Sequence, residues 1–268
     1  MKVVATAGLV PSSFRTLPCF NVTRAASIAD AIKAVGQAER PAFLAGGTDL
    51  PAQFNEGFIP SDLIDLSRID DLRKVTLANN AIEIGATVTH AAGSTDLLVC
   101  KHLPSLASAW ARIANVRIRF SATLGGNLMA RRTRYEGAIL LSALQARLRL
   151  QSAAGETEIP VEDVWTKRVP SAALLTHIII PLRNNIRLDY ARDLRPIMTQ
   201  AVGLDDSRTG RIVTATEYAV PCVRLLKAAN REAVQGDLDL ADPVTSAGYL
   251  RSASDALLVR QLERMRMQ

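Results

Sequence analysis

Apolar residues recur at Ile28, Ala31, Ile32 and Val35, the spacing of one helix face, directly behind the capping-box-like run Ser27-Ile28-Ala29-Asp30. Arg40-Pro41 stops that helix, and the apolar run 42–45 predicts a short buried strand. A strand over 62–66 follows, then a turn or short helix over 67–72. The runs 74–78 and 81–86 flank Asn79-Asn80, and asparagine tolerates positive φ, so the pair predicts a hairpin. Helices are predicted over 89–98, 105–114 and 138–146. The stretch 122–124 reads as the end of a strand. Alternation over 147–151 predicts a strand that turns at 153–156 and returns over 157–160, and the β-branched run 176–181 predicts a last strong strand. Beyond Arg183-Asn184-Asn185, strands are predicted over 198–204 and 211–220 around a turn at 205–210. A long helix over 248–265 carries apolar positions at Leu250, Ala253, Ala256, Leu257, Val259 and Leu262.

Two of these apolar runs end in adjacent glycines. The first is Ala45-Gly46-Gly47-Thr48-Asp49-Leu50 and the second is Ala122-Thr123-Leu124-Gly125-Gly126-Asn127-Leu128. A strand that enters Gly-Gly and then a small polar residue lets backbone N–H groups approach an anion, because glycine accepts positive φ and has no Cβ in the way. Two such loops point to one large phosphate-bearing ligand held between them; the plainer reading is two tight turns. The usual nucleotide motifs are absent. Neither pair extends to G-x-G-x-x-G, and there is no G-x-x-x-x-G-K-[ST].

At 268 residues with 48% apolar content, the chain is long enough for one large domain or two modest ones with a sizeable core. Aromatic residues make up only 4%, which argues against an aromatic platform for single-stranded nucleic acid. The net charge of +6 is spread along the chain without a Lys/Arg-rich run, so solubility or an acidic partner surface explains it better than nucleic acid. No apolar stretch is long enough to span a bilayer, and Met1 to Val10 reads as a terminal arm, not an export signal. Cys19, Cys100 and Cys222 form no C-x-x-C, and His90, His102 and His177 are as scattered. The chain is therefore expected to ligate neither an iron–sulfur cluster nor zinc by itself, and its unpaired cysteines point to the cytoplasm.

The two glycine loops resemble the flavin-contacting loops of the FAD-binding subunit of the molybdenum hydroxylases, the family of xanthine dehydrogenase, carbon monoxide dehydrogenase and related N-heterocycle and aldehyde hydroxylases. Leu63-Ile64-Asp65-Leu66-Ser67-Arg68-Ile69, Ile82-Glu83-Ile84-Gly85-Ala86-Thr87 and Ile178-Ile179-Ile180-Pro181 are similar to segments the family carries in the same order. The resemblance implies an α+β chain. A PCMH-type FAD-binding fold of two α/β subdomains would span 17–182, and a small C-terminal α+β domain, a three-stranded sheet with helices, would span 183–268. Residues 1–16 precede the family's usual start at Pro18-Cys19-Phe20 and read as an arm toward a partner. Gly46, Gly47, Gly125 and Gly126 would bring backbone to the FAD pyrophosphate, and Thr48 and Thr123 would add hydroxyls. The flanking Leu44, Ala45, Asp49, Leu50, Ala122, Asn127, Met129 and Ala130 would complete the loops. Ile113, Leu174 and Leu175 match positions near the flavin ring, and Glu136 stands where the family has an aspartate that contacts the flavin.

In this family the organic substrate meets a molybdenum cofactor in a large subunit, and a small subunit carries [2Fe–2S] clusters. The resemblance thus implies a hetero-oligomer, with a dimer of heterotrimers as one form, and no acid–base residue here that acts on the substrate. The chain departs from the family at Leu128-Met129-Ala130-Arg131-Arg132-Thr133-Arg134-Tyr135, where arginines and a tyrosine replace small residues and proline. Arg131, Arg132 and Arg134 suit a phosphate, a partner surface or plain solvation equally. Asp189-Tyr190-Ala191-Arg192-Asp193 lacks the lysine the family often has there. Two rival readings stand beside the electron-transfer subunit. A stand-alone flavin oxidoreductase would need a base or a tethering His or Cys beside the loops, which the sequence does not place there. A scaffold that has lost its flavin finds its support in the arginine-rich replacement.

Overall fold

The structure, a computed structural model, describes residues 19–166, 169, 172–192 and 198–267. The arm over 1–16, Pro18 and Asp193 lie outside the described residues. The described residues open with β1 (Asn21–Arg24), α1 (Ile28–Gln37), β2 (Pro41–Leu44), α2 (Leu50–Asn55) and β3 (Asp62–Asp65). The strands pair in the order β1-β3-β2, all parallel. The Ser27 hydroxyl accepts from the Asp30 amide at 3.1 Å, so the serine caps α1. The predicted stripe faces inward: Ala31 and Val35 are buried, with Ile28 and Ile32 packed against the same cluster.

β4 (Val75–Ala78) and β5 (Ala81–Gly85) form the expected hairpin, with φ of 49° at Asn79 and 55° at Asn80. Short helices follow: α3 (His90–Thr95), α4 (Leu97–His102), α5 (Pro104–Trp110), α6 (Val116–Ser121), α7 (Leu124–Met129) and α8 (Glu136–Ala143). The continuous helix expected over 89–98 is cut at Asp96. That residue is extended, and its carboxylate accepts from the amides of Leu98 and Val99, starting a new helix. β6 (Arg147–Ser152), β7 (Gly155–Pro160) and β8 (Leu174–Pro181) then complete an antiparallel sheet ordered β4-β5-β8-β6-β7.

The last unit comprises β9 (Arg187–Ala191), β10 (Met198–Leu204), β11 (Gly210–Thr216), β12 (Cys222–Leu226), β13 (Val234–Gln235) and α9 (Ala247–Arg266). Its sheet is five-stranded, ordered β13-β12-β11-β10-β9, not three-stranded as expected. The α+β character stands. The added strands are short, and none has enough apolar alternation to stand out in the sequence. α9 also differs in its buried face. It buries Leu250, Leu258, Leu262 and Met265 together with Ser254 and Gln261, whereas Ala256 and Val259 are exposed. The two polar residues are tolerated because Gln200 of β10 binds both. Its amide nitrogen donates to Gln261 Oε1 at 2.9 Å, and the Ser254 hydroxyl donates to its oxygen at 2.6 Å.

The main core joins the antiparallel sheet, α5 and α8, with Trp110, Leu106, Ile139 and Leu140 fully buried, and it runs on into Ala201, Val213 and Ala215 of the last sheet. α8 is buried along its whole length; it packs on β9, β10 and β11 and shares the main core with the antiparallel sheet, so it joins the two sheets. Gly203 of β10 makes that joint possible, since a Cβ there would overlap the Ala143 carbonyl oxygen. Gly203→Ala should therefore lower the free energy of unfolding by about 2 kcal/mol or more, as overpacking a core does. Gly248→Ala, near the start of α9 with nothing within 4 Å of the new methyl, should change it by no more than about 0.5 kcal/mol or raise it slightly. Chemical denaturation of the two variants checks the contrast.

Candidate functional site

The two glycine loops meet. The first leaves the carboxyl end of β2, where ligands bind in parallel sheets. Gly47 has φ of +65°, the left-handed conformation that favours glycine. Gly46 lies so close to the segment entering the second loop that a Cβ would overlap the Ser121 carbonyl oxygen and come within 3.0 Å of Ala122 Cα. The space the loops enclose with the start of β8, α6 and the 130–136 segment is a cavity of about 580 Å³. It is lined by Ala45, Gly46, Gly47, Thr48, Asp49, Leu50, Ile113, Ala122, Thr123, Gly125, Gly126, Asn127, Met129, Ala130, Glu136, Leu174 and Leu175. Leu44, the last residue of β2, does not line it. The cavity also takes in residues that sequence reasoning passed over, among them Thr87, His90, Ile118, Tyr135 and Arg192.

The second loop differs from the expected strand-then-turn. Thr123 is the N-cap of α7, and its hydroxyl accepts from the Gly126 amide at 3.0 Å, so Gly125 and Gly126 form the first turn of a helix. The Leu124, Gly125 and Asn127 amides are also engaged, donating to Val88 O at 2.8 Å, Ala86 O at 2.9 Å and Thr123 O at 2.9 Å. Gly125 is glycine for packing, because a Cβ would stand 2.6 Å from Ala86 O. Donors for an anion come instead from the first loop. Among the described residues, nothing accepts from the amides of Gly46, Gly47, Thr48 or Asp49. Thr123, whose oxygen takes the Gly126 amide, keeps its hydroxyl proton to donate. Amides at 46–49 without a partner among the described residues, around a left-handed glycine and lining the same cavity as the Thr123 cap of α7, are the donor set a diphosphate needs.

Two arginines of the arginine-rich segment find partners within the chain. Arg132 Nη2 lies 2.8 Å from Glu56, with Nε 3.5 Å from Asp49, and Arg134 lies 3.3 Å from Glu217. Asp49 also accepts from Tyr135 Oη and Gln53 Nε2, both at 2.6 Å. Burial alone would raise the Asp49 pKa, but these hydrogen bonds and the Arg132 charge bring it below the usual carboxylate value. Tyr135 is pushed up to about 12 by burial and by its bond to Asp49. The segment thus straps the first loop to the 133–136 turn and, through Thr133 and Arg134, to Glu217.

Glu136, which also lines the cavity, is 7% exposed and paired with Arg192 at 2.5 Å. Arg192 comes from the stretch where the family's lysine is missing, so a cation reaches the cavity from there after all. The Tyr190 hydroxyl is buried beside the pair, and burial followed by the Glu136 charge pushes its ionisation far up.

Two buried polar groups at this cavity have no partner among the described residues: Asn127 Oδ1, and both ring nitrogens of His90. The sequence places no histidine beside the loops. The fold brings His90 there through the bridge between Thr89 and Thr123, with the His90 amide on Ala122 O at 3.1 Å. His90 is 1% exposed, and burial, with Arg119 nearby, lowers its pKa to about 4. The group therefore stays neutral in the folded chain from pH 6.5 down to about 4, where the unfolded chain takes up a proton. Stability should fall by about 3 kcal/mol over that window on this account. His90→Gln should remove that part of the pH dependence, as read from denaturation midpoints of the ligand-free protein at pH 7 and pH 4.5.

Residues 18–183 match the family model described as the FAD binding domain in molybdopterin dehydrogenase. Among curated relatives, the nicotine 6-hydroxylase medium subunit of Paenarthrobacter nicotinovorans is 31% identical over 174 residues, covering 63% of this chain and 62% of that one. The glyceraldehyde dehydrogenase medium chain of Sulfolobus acidocaldarius is 27% identical over 184 residues, covering 66% and 65%. The chain spans less than two thirds of the length of these relatives. The fold matches a chain of quinoline 2-oxidoreductase from Pseudomonas putida 86, with a TM-score of 0.79 at 23% identity over 92% of this chain and 97% of that one. On the match over 18–183, the chain belongs to the FAD-binding domain family of the molybdopterin dehydrogenases.

Proposed function

We propose that this chain is the FAD-holding electron-transfer component of a multi-subunit, molybdenum-containing hydroxylase or dehydrogenase. The observation that carries the reading is the cavity itself. Residues 46–49, whose amides have no partner among the described residues, line it together with the Thr123 cap of α7, and Ile113, Leu174 and Leu175 supply apolar wall. The Gly46–Asp49 amides and the Thr123 hydroxyl would hold the diphosphate. Asn127 and the Glu136–Arg192 pair offer polar contacts, and the apolar walls keep water from the ring. When bound, FAD supplies the junction between one-electron and two-electron transfer.

The electrons would come from [2Fe–2S] clusters in a small partner subunit, fed in turn by the molybdenum cofactor of a large subunit, and would leave to an external acceptor. The assembly would be a hetero-oligomer in the cytoplasm, with a dimer of heterotrimers as its symmetric form. Among the described residues no helix is long and apolar enough to cross a membrane. The chain's net charge of +6 suits acidic partner faces.

The stand-alone oxidoreductase is the reading that His90 at the cavity would favour. Its pKa of about 4 makes it a poor base at neutral pH, which supports the relay instead. The test is to purify the chain alone and together with its co-expressed large and small subunits, then follow flavin absorbance after adding the organic substrate of the complex. The relay predicts fast bleaching in the complex and none in the isolated chain. Equal rates in both would contradict it and favour the stand-alone enzyme.

A further inference from the structure

His90 opens α3, and its imidazole is sealed from solvent against the flavin cavity. It is 1% exposed, and neither ring nitrogen has a partner among the described residues. A buried polar group left unpaired costs stability, so one that persists at a ligand site calls for a partner in the bound state. The charged and polar surroundings limit what that partner is. His90 sits at a helix N-terminus capped by Thr89, where cations are disfavoured. The described charge acting on it is Arg119, on α6, whose guanidinium is held by the carbonyls of Ile113 and Ala114. The ring is therefore a neutral imidazole, a donor at one nitrogen and an acceptor at the other. The His90 amide is bonded to Ala122 O, the neighbouring Thr89 is paired with Thr123, and Ile113, Ala114, Ile118, Glu136 and Arg192 line the same cavity.

Resting on the FAD-binding reading above, we propose that His90 is a flavin-nucleotide binding residue, its neutral imidazole hydrogen-bonded to a ring or sugar heteroatom of the bound cofactor. The contact is non-covalent and uses one ring nitrogen, as donor or as acceptor, because the two nitrogens of an imidazole point in diverging directions. In the flavin-free chain the same group is a liability.

This gives the proposal a signature that a structural role lacks: affinity and stability move in opposite directions when the imidazole is removed. His90→Leu keeps a side chain of similar bulk and deletes both polar atoms. Flavin-free His90→Leu should melt at or above the flavin-free wild type. Its dissociation constant for FAD, read by quenching of flavin fluorescence, should rise about ten- to a hundredfold. His90→Gln, which restores a donor and an acceptor, should recover most of the affinity. Acid precipitation of the wild-type complex should release all the FAD.

Unchanged FAD affinity in His90→Leu would overturn the proposal, as would a loss of affinity matched by a lower melting temperature of the flavin-free variant. Flavin that stays on the precipitated wild-type chain would overturn it too, since the ring would then be tethered. A wild-type chain that takes up no FAD would instead sink the parent reading, so the two failures are distinguishable.

Discussion

The site depends on backbone packing against backbone where side chains would not fit. Gly46 lies against the carbonyl of Ser121, and Gly125 against the carbonyl of Ala86. The first contact brings the carboxyl end of the parallel sheet up to the segment entering α7. The second seats α7 on the end of β5. Neither distance allows a Cβ, so both loops need glycine for the chain's own assembly before any ligand is considered. The cavity is the space left when these two contacts are made, and the strap from Arg132 and Tyr135 to Asp49 holds its mouth in shape.

That packing decides which polar groups are free. The α7 amides are spent on Val88, Ala86 and Thr123, whereas those from Gly46 to Asp49, in residues that line the cavity, have no partner among the described residues. The two loops look alike in sequence and do different work. One offers donors; the other offers a helix terminus and a hydroxyl. Together with the orphaned His90 ring and Asn127 Oδ1, the free amides make a preformed site that is incomplete in the flavin-free chain. A ligand that satisfies these groups stabilises the folded state in proportion to its affinity.

Much of this was legible in the sequence where one local interaction decides the structure. The α1 stripe with its Ser27 cap, the Asn79-Asn80 hairpin and the convergence of the glycine loops all came from patterns a few residues long. What escaped was set by competition or by distance. Thr123 reads as the end of a strand because Ala122-Thr123-Leu124 is apolar and β-branched, yet its hydroxyl captures the Gly126 amide and starts a helix. Asp96 cuts a helix in the same way. Ser254 and Gln261 break the apolar stripe of α9 and are still buried, because their partner Gln200 lies more than fifty residues away. His90 reaches the cavity only through the pairing of Thr89 with Thr123, which no local pattern announces. The ion pairs of Arg132 with Glu56 and Asp49, and of Arg134 with Glu217, join residues far apart in the chain, and no local pattern announces them.

The most direct measurement is amide hydrogen exchange across both loops, with and without FAD. The unpaired amides from Gly46 to Asp49 should exchange fast in the flavin-free chain and slow strongly when FAD binds. The amides from Leu124 to Asn127, already hydrogen-bonded, should be slow in both states. FAD binding that leaves the amides of 46–49 unprotected would contradict the account, because the diphosphate would then lie somewhere other than the first glycine loop.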